Sequence, residues 1–465
     1  MLYIGAVIFL FLLVKRPAVV AVIFFTITLA DINFDLGGGS LNIRALIGLA
    51  LFARTLIPEA GDDFPPYLSS AGKWIILFIL YFAFVTAAYD LLQASFIKRS
   101  ALTLVTAYTG YVYFFKRRDM MVLQISLILA GLICVGDLVY TYATVGKFPV
   151  QRIYMALMHI QSEVDERGDF IEVINHNFYG FICGICFVFL LNSFLNDERS
   201  NKLILIFLPI MFLGVLMSTS RSTLLGMIGI SIFLLVRELR HRERAKKAAT
   251  IIMVALGSIF MSWFAFVSLQ GVFNIGHEFA DRIALRLIDE PVAVMNKHLG
   301  MNYNAQSLDA MDWREEASAN ALEAYMNLSP MEQVFGIGFW GFRTRNLGHN
   351  NLPPHNGILM LVIEAGLVGL IFYFLIIGSI IYSSFRSRDD ISPIVTTLVF
   401  VLIYCIGQNE EMTSGITFLF VATLAAENLM LRMEPEKDEE EEELVHEDEK
   451  DEKERSTFVT ALRAN

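Results

Sequence analysis

The sequence predicts an all-α, polytopic integral membrane protein with about 12–13 transmembrane helices and one long extracytoplasmic loop. Three observations carry this. Apolar residues make up 55% of the 465 and charged residues only 18%, whereas soluble domains run at roughly 45–50% and 25%. The mean hydropathy is +0.55. The apolar residues gather into runs close to the about 20 residues that a helix needs to cross a bilayer. With 38 Phe, 19 Met and only 12 Pro, a disordered or fibrous chain is excluded.

Taken in order, the apolar runs predict spans at 1–14, 18–30, 41–57, 74–93, 101–115, 120–145, 175–195, 203–217, 222–236, 250–270, 356–384, 392–408 and 416–431. Lys15, Arg16 and Pro17 separate the first two, which form either two thin helices or one span plus a surface helix. Met1 to Val14 lacks a basic n-region and a small-residue cleavage site, so no removable signal peptide is expected.

Orientation follows from Lys and Arg in short loops. The basic loops are 116–119, 199–202, 237–247 and 386–388. Placing all four in the cytoplasm lets the spans alternate without a break and puts 146–174, the turn at 218–222 and the segment 271–354 outside. Two details run against this: Lys98 and Arg99 fall outside, and the acidic 58–72 loop falls inside. The chain divides into a transmembrane bundle (1–270), an extracytoplasmic loop domain (271–354), C-terminal transmembrane helices (355–431) and an acidic tail (432–465). Within the outer segment, 278–290 and 313–328 have helical patterns, 336–342 is a glycine-aromatic loop, and Pro353-Pro354 stop any helix before His355.

Charge is concentrated at the C-terminus. Residues 432–465 hold fourteen acidic and six basic side chains, a net of −8 that leaves −3 of the total −11 for residues 1–431. Such a run repels itself and predicts a disordered, solvated cytoplasmic tail. No basic face exists outside the loops, so nucleic acid is excluded as a partner. Cys183 and Cys186 form a C-x-x-C, but neither a four-ligand metal site nor a thioredoxin-like context accompanies it. All four cysteines are expected to pack as small hydrophobes.

Three clusters on the outer side could carry chemistry, since charge near a span is costly and often functional. Arg221, in S-T-S-R-S between two spans, can clamp a phosphate with its planar fork or serve as an interfacial anchor. In the outer loop, Arg282 and Arg286 stand at i, i+4 and can bind two phosphate oxygens or pair with Asp281, Asp289 or Glu290; Arg314 is flanked by Glu315 and Glu316. His355, in P-P-H-N-G where the loop returns to the membrane, can accept a proton near pH 7 or be a plain hydrogen-bonding residue. His176 and His349 are further candidates.

From His355 the sequence reads H-N, nine residues, then G-x-x-G at Gly366 and Gly369. This resembles the signature of the bacterial O-antigen ligase and O-antigen polymerase family. The S-x-S-R turn at 218–221, Trp313-Arg314 followed by G-I-G-F at 336–339, and a long outer loop before the last spans are similar too. The resemblance covers roughly 170–385; the first 150 residues match only in hydropathy, and the tail is not a family feature. Family members often show Arg before the Trp, whereas Arg314 follows Trp313.

The resemblance implies a metal-independent glycan transferase of the bacterial inner (cytoplasmic) membrane, needing no cofactor, with its active site on the periplasmic face. The donor it implies is an undecaprenyl-pyrophosphate-linked glycan, and the acceptor a sugar hydroxyl of another glycan or of lipid A core. His355 would be the base and Asn356 a substrate-binding neighbour. Arg221 and Arg314 would hold the pyrophosphate, with Arg282 or Arg286 in a second such role. Polymerase and ligase share these motifs. A lipid-linked-sugar flippase or other transporter would place charges at the bilayer midplane, and an intramembrane protease built on Ser220 lacks G-x-S-x-G.

Overall fold

A computed structural model describes residues 9, 12–30, 43–57, 70–89, 94–117, 120–145, 160–164, 170–174, 176–196, 204–240, 245–273, 289–302, 309–339, 341–345, 347, 354, 356–387, 391–406 and 416–430. The protein is an all-α polytopic membrane protein. Its helices are α1 (Pro17–Leu29), α2 (Ile43–Leu56), α3 (Ser70–Ala88), α4 (Ala94–Arg117), α5 (Met120–Val145), α6 (His176–Asn196), α7 (Ile204–Ser218), α8 (Arg221–Arg240), α9 (Ala245–Phe273), α10 (Glu290–His298), α11 (Asp309–Met326), α12 (Pro330–Phe335), α13 (Gly341–Thr344), α14 (Gly357–Ser387), α15 (Pro393–Ile406) and α16 (Ile416–Met430). One antiparallel hairpin, β1 (Ile160–Val164) with β2 (Phe170–Ile174), pairs Ile160 with Ile174 and Val164 with Phe170. It lies in the 146–174 segment, between the predicted spans 120–145 and 175–195.

Twelve of the thirteen predicted spans correspond one for one to helices. The first, 1–14, falls mostly outside the described residues, as do 278–288 and the acidic tail. Among the described residues, four helical stretches are long and apolar enough to cross a membrane: Met120–Tyr140, Asn177–Asn196, Arg221–Leu239 and Gly357–Phe385; seven shorter apolar helices accompany them. α4 begins at Ala94, seven residues before the predicted span, so Lys98 and Arg99 stand in its first turns.

α6 is the centre of the bundle. It is apolar on every side, as a helix enclosed by others must be, and 89% of its spanning window is buried, against 33% for α8 at the periphery. Gly131 of α5 and Gly214 of α7 admit close neighbours: a Cβ would stand 3.0 Å from Cys186 Sγ at the first and 2.5 Å from Cys183 Sγ at the second. Cys134, Cys183, Cys186 and Cys405 are all buried and unbridged, so the C-x-x-C is packing.

Side-chain pairs fix which helix ends lie together. α6 and α15 are antiparallel: Phe181 stacks on Tyr404 at 4.2 Å, and Asn192 donates to Thr396 at 3.1 Å. Asn196 donates to the carbonyl of Ile391 at 2.7 Å and accepts from Arg237 at 3.4 Å, and Ser392 donates to Glu427 at 2.6 Å. One end of the bundle therefore gathers the ends of α6, α8 and α14 with the start of α15. The opposite end carries the α7–α8 turn at Arg221, the start of α6 at His176 and the start of α14 at Gly357.

Candidate functional site

At that opposite end, the turn between α7 and α8 is a single tight reversal. Ser218, Thr219, Ser220 and Thr223 are all buried. Ser218 Oγ donates to the Val215 carbonyl at 2.7 Å and accepts from Ser220 N–H at 3.3 Å, and the hydroxyls of Ser220 and Thr223 pair at 2.8 Å. Thr219 holds φ +50°, the only positive φ at a non-glycine among the described residues. A β-branched residue there is strained by of order 1–3 kcal/mol, and such strain gathers at functional sites. Its Oγ1 is buried with no hydrogen-bond partner among the described residues. Gly180 on α6 seats the turn: a Cβ there would stand 2.2 Å from Ser218 Oγ and 2.9 Å from Ser220 Cβ.

Arg221 opens α8, half-buried. A cation at a helix N-terminus faces the positive end of the backbone dipole, an electrostatic cost that an anion bound at the same place removes.

The loop domain is joined to α14 through the helix break. Gly366 has φ +71° and ψ 178° inside α14. Residues 336–338 run alongside the break, Ile337 N–H donating to the Ile363 carbonyl at 3.1 Å and Gly338 N–H to that of Glu364 at 2.9 Å. Gly336 and Gly338 also have positive φ, +85° and +84°, and a Cβ on Gly336 would meet the Glu364 carbonyl at 2.2 Å. From α3, Tyr81 reaches the carbonyls of Phe335 at 3.1 Å and Ala365 at 2.9 Å, and Thr86 Oγ1 accepts from Phe339 N–H at 3.0 Å. A Cβ on Gly369 would approach the Tyr81 ring at 3.1 Å. The two glycines of G-x-x-G thus have separate duties: Gly366 breaks the helix, and Gly369 makes room for Tyr81. The G-I-G-F loop and the G-x-x-G, distant in sequence, form one joint.

A small second core binds this joint to α11. Ala321, Ile337, Phe342, Val362 and Ile363 are buried together, with Tyr325, Leu328 and Leu359 against them. Arg314 therefore stands on a helix that shares a core with the start of α14. Its side chain, that of His176, and all of His355, His349, Arg282 and Arg286 lie outside the described residues. Flanking His355, Pro354 is buried. Asn356 is the N-cap of α14, its Oδ1 accepting from Leu359 N–H at 3.1 Å, which leaves the amide nitrogen as its possible group for a ligand.

Between α11 and α13, Glu332 completes a capping box with Ser329 and accepts from Arg345 Nη1 at 2.6 Å. That guanidinium, with Ser329 assisting, holds the carboxyl down at about 2. Arg345 also lies 4.6 Å from the Tyr89 ring centroid. Arg345 is therefore tied into the architecture of the loop domain.

Two buried acids near this end escaped the sequence reading. Asp137 of α5 accepts from Tyr179 at 2.7 Å, next to Gly180. Glu364 is buried one residue before Ala365 and two before the break. Each is a lone carboxylate in an apolar run, the signal that identifies functional groups in spans.

Among curated proteins, none matches the chain. A family model described as O-Antigen ligase matches residues 206–374. The match begins in α7, contains the Arg221 turn and ends in α14 beyond the broken joint, the same stretch in which the sequence motifs fall. Over residues 206–374 the chain is therefore similar to the O-antigen ligase family.

Proposed function

We propose that the protein transfers a glycan from an undecaprenyl-pyrophosphate carrier to a sugar hydroxyl, with the site on the periplasmic face of the inner membrane. The observation that supports this most is the shared end of the bundle. The strained turn bearing Arg221, the Asn356-capped start of α14 beside His355, and the helix of Arg314 all belong to the part of the chain that matches the family.

In this reading the acceptor hydroxyl attacks the anomeric carbon of the donor. The new glycosidic bond forms as the anomeric carbon–phosphate oxygen bond breaks, and the carrier pyrophosphate departs with the bonding electrons. His355 takes the hydroxyl proton, a role worth about 10²–10⁴-fold. Arg221 and Arg314, with Arg282 or Arg286, stabilise the charge that develops on the leaving pyrophosphate. The amide of Asn356 contacts substrate. The donor is already activated, so the reaction needs neither a nucleotide nor a metal. The apolar spans offer the polyprenyl chain its environment. Of the two acceptor classes, we favour another lipid-linked repeat, making the enzyme a polymerase rather than a ligase onto lipid A core.

The test is single-turnover transfer from a defined lipid-linked repeat unit, measured beside donor binding. His355→Ala should lose about 10²-fold or more in transfer while still binding donor. Arg221→Lys should lose donor binding, since an ammonium cannot reproduce the bidentate fork. Wild-type transfer in both variants would overturn the assignment.

A further inference from the structure

We infer that α12 is a membrane-inserted element whose apolar face lies in the leaflet at the N-terminal end of α14. From Gly366 to Ser387 the helix is about 33 Å long at about 1.5 Å per residue. That matches the about 30 Å of a hydrocarbon core. The break at Gly366 thus falls at one boundary of the bilayer, and residues 357–365 stand at or above it.

α12 ends against this break. A Cβ on Gly366 would be 2.3 Å from the Val334 carbonyl oxygen and 2.5 Å from the Phe335 carbonyl carbon. Tyr81 ties Phe335 to α3 as well. Where the joint sits, both spanning helices turn apolar side chains outward: Leu367 and Ile371 on α14 are 43% and 58% exposed, and Leu80 and Phe84 on α3 are 59% and 74%. α12 continues that surface with Met331, Val334 and Phe335 at 66%, 37% and 41%. These three stand at i, i+3 and i+4, one face of a helix.

The other face of α12 is polar and engaged by protein. Glu332 holds Ser329 and Arg345. Gln333 donates to the carbonyls of Tyr325, Met326 and Leu328 at 3.1–3.2 Å, locking α12 to the end of α11. A helix with one face satisfied and the other continuous with a lipid-facing surface meets the requirement for lying in the acyl–headgroup boundary. The occupant is the bilayer, because α12 ends against the break in α14, beside the outward apolar side chains of the two helices that flank it. Through α12 the loop domain is held at a fixed height on the membrane, whichever glycan is transferred.

The test is site-directed spin labelling of the full chain in liposomes. The native cysteines are buried, so single Met331→Cys, Val334→Cys and Phe335→Cys variants can be labelled selectively, with exposed Glu323→Cys as reference. Labels at 331, 334 and 335 should collide more often with oxygen than with a water-soluble nickel chelate, and the label at 323 should do the reverse. Chelate accessibility at all three positions would overturn the proposal in favour of a solvent-facing α12. Protection from both reagents would overturn it in favour of a covering protein or a second copy.

Discussion

The hydroxyl of Tyr81 donates to the carbonyl of Ala365 at 2.9 Å, and the edge of the same ring lies where a Cβ on Gly369 would stand 3.1 Å from it. A side chain from α3 thereby stands in the backbone ladder of α14 at the place where Gly366 interrupts it. Insertion of this kind is one of the few physical causes of a sharp helix break, and here it also holds the loop that precedes α13.

Removing that hydroxyl leaves carbonyls at the break without their donor. Tyr81→Phe should therefore destabilise the protein by about 1–2 kcal/mol while keeping the ring contact with Gly369. Thermal unfolding of the purified protein checks this, and an unchanged midpoint would show that the break is held by the glycines alone.

Gly336→Ala adds a Cβ 2.2 Å from the Glu364 carbonyl at φ +85°. Both the clash and the left-handed backbone are costly, so a loss above about 2 kcal/mol is expected, with transfer activity falling in step. Gly229→Ala on α8 is the control. Nothing lies within 4 Å of its added Cβ, and replacing a helical glycine should be neutral or stabilising by up to about 1 kcal/mol.

Glu332 supplies a pH dependence with a definite sign. Its folded-state value of about 2 lies below the ordinary 4.5, so its contribution is complete above about 4.5 and is lost as pH falls toward 2. Glu332→Gln should flatten the stability profile in that window. At neutral pH the change should be small, because a partly exposed ion pair is screened by solvent. Urea unfolding followed from pH 7 to pH 3 reads both limits.

Asn356 separates structure from chemistry. Asn356→Ala removes the cap of α14 and should cost about 1 kcal/mol, whereas Asn356→Asp keeps a capping oxygen and should keep stability. With the amide in contact with substrate, the Asp variant should still lose transfer. Full transfer by a stable Asp variant would confine Asn356 to capping.

Tyr179 braces the Arg221 turn through its neighbour Gly180. Tyr179→Phe leaves buried Asp137 without this donor and should lower the unfolding midpoint, as a buried acceptor that loses its donor costs about 1–3 kcal/mol. Donor affinity should weaken as well, since α6 packs directly beneath the turn. Unaltered stability and binding would show the pair to be incidental.

The sequence by itself determined where the helices lie and which motifs matter. Bilayer thickness sets the length of an apolar run, so twelve of the described helices could be located from the sequence, and the H-N and G-x-x-G pattern was visible at 355–369. The β1–β2 hairpin was not legible, because Ile160–Val164 and Phe170–Ile174 depend on each other rather than on local propensity. Only the tertiary structure decided why the glycines are there. Gly336 and Gly366 are separated by the whole start of α14 and meet only because residues 336–338 pair with a broken helix. The lone acids Asp137 and Glu364 were present as letters, but their placement depends on how α5, α6 and α14 pack, and that packing is a property of many residues at once.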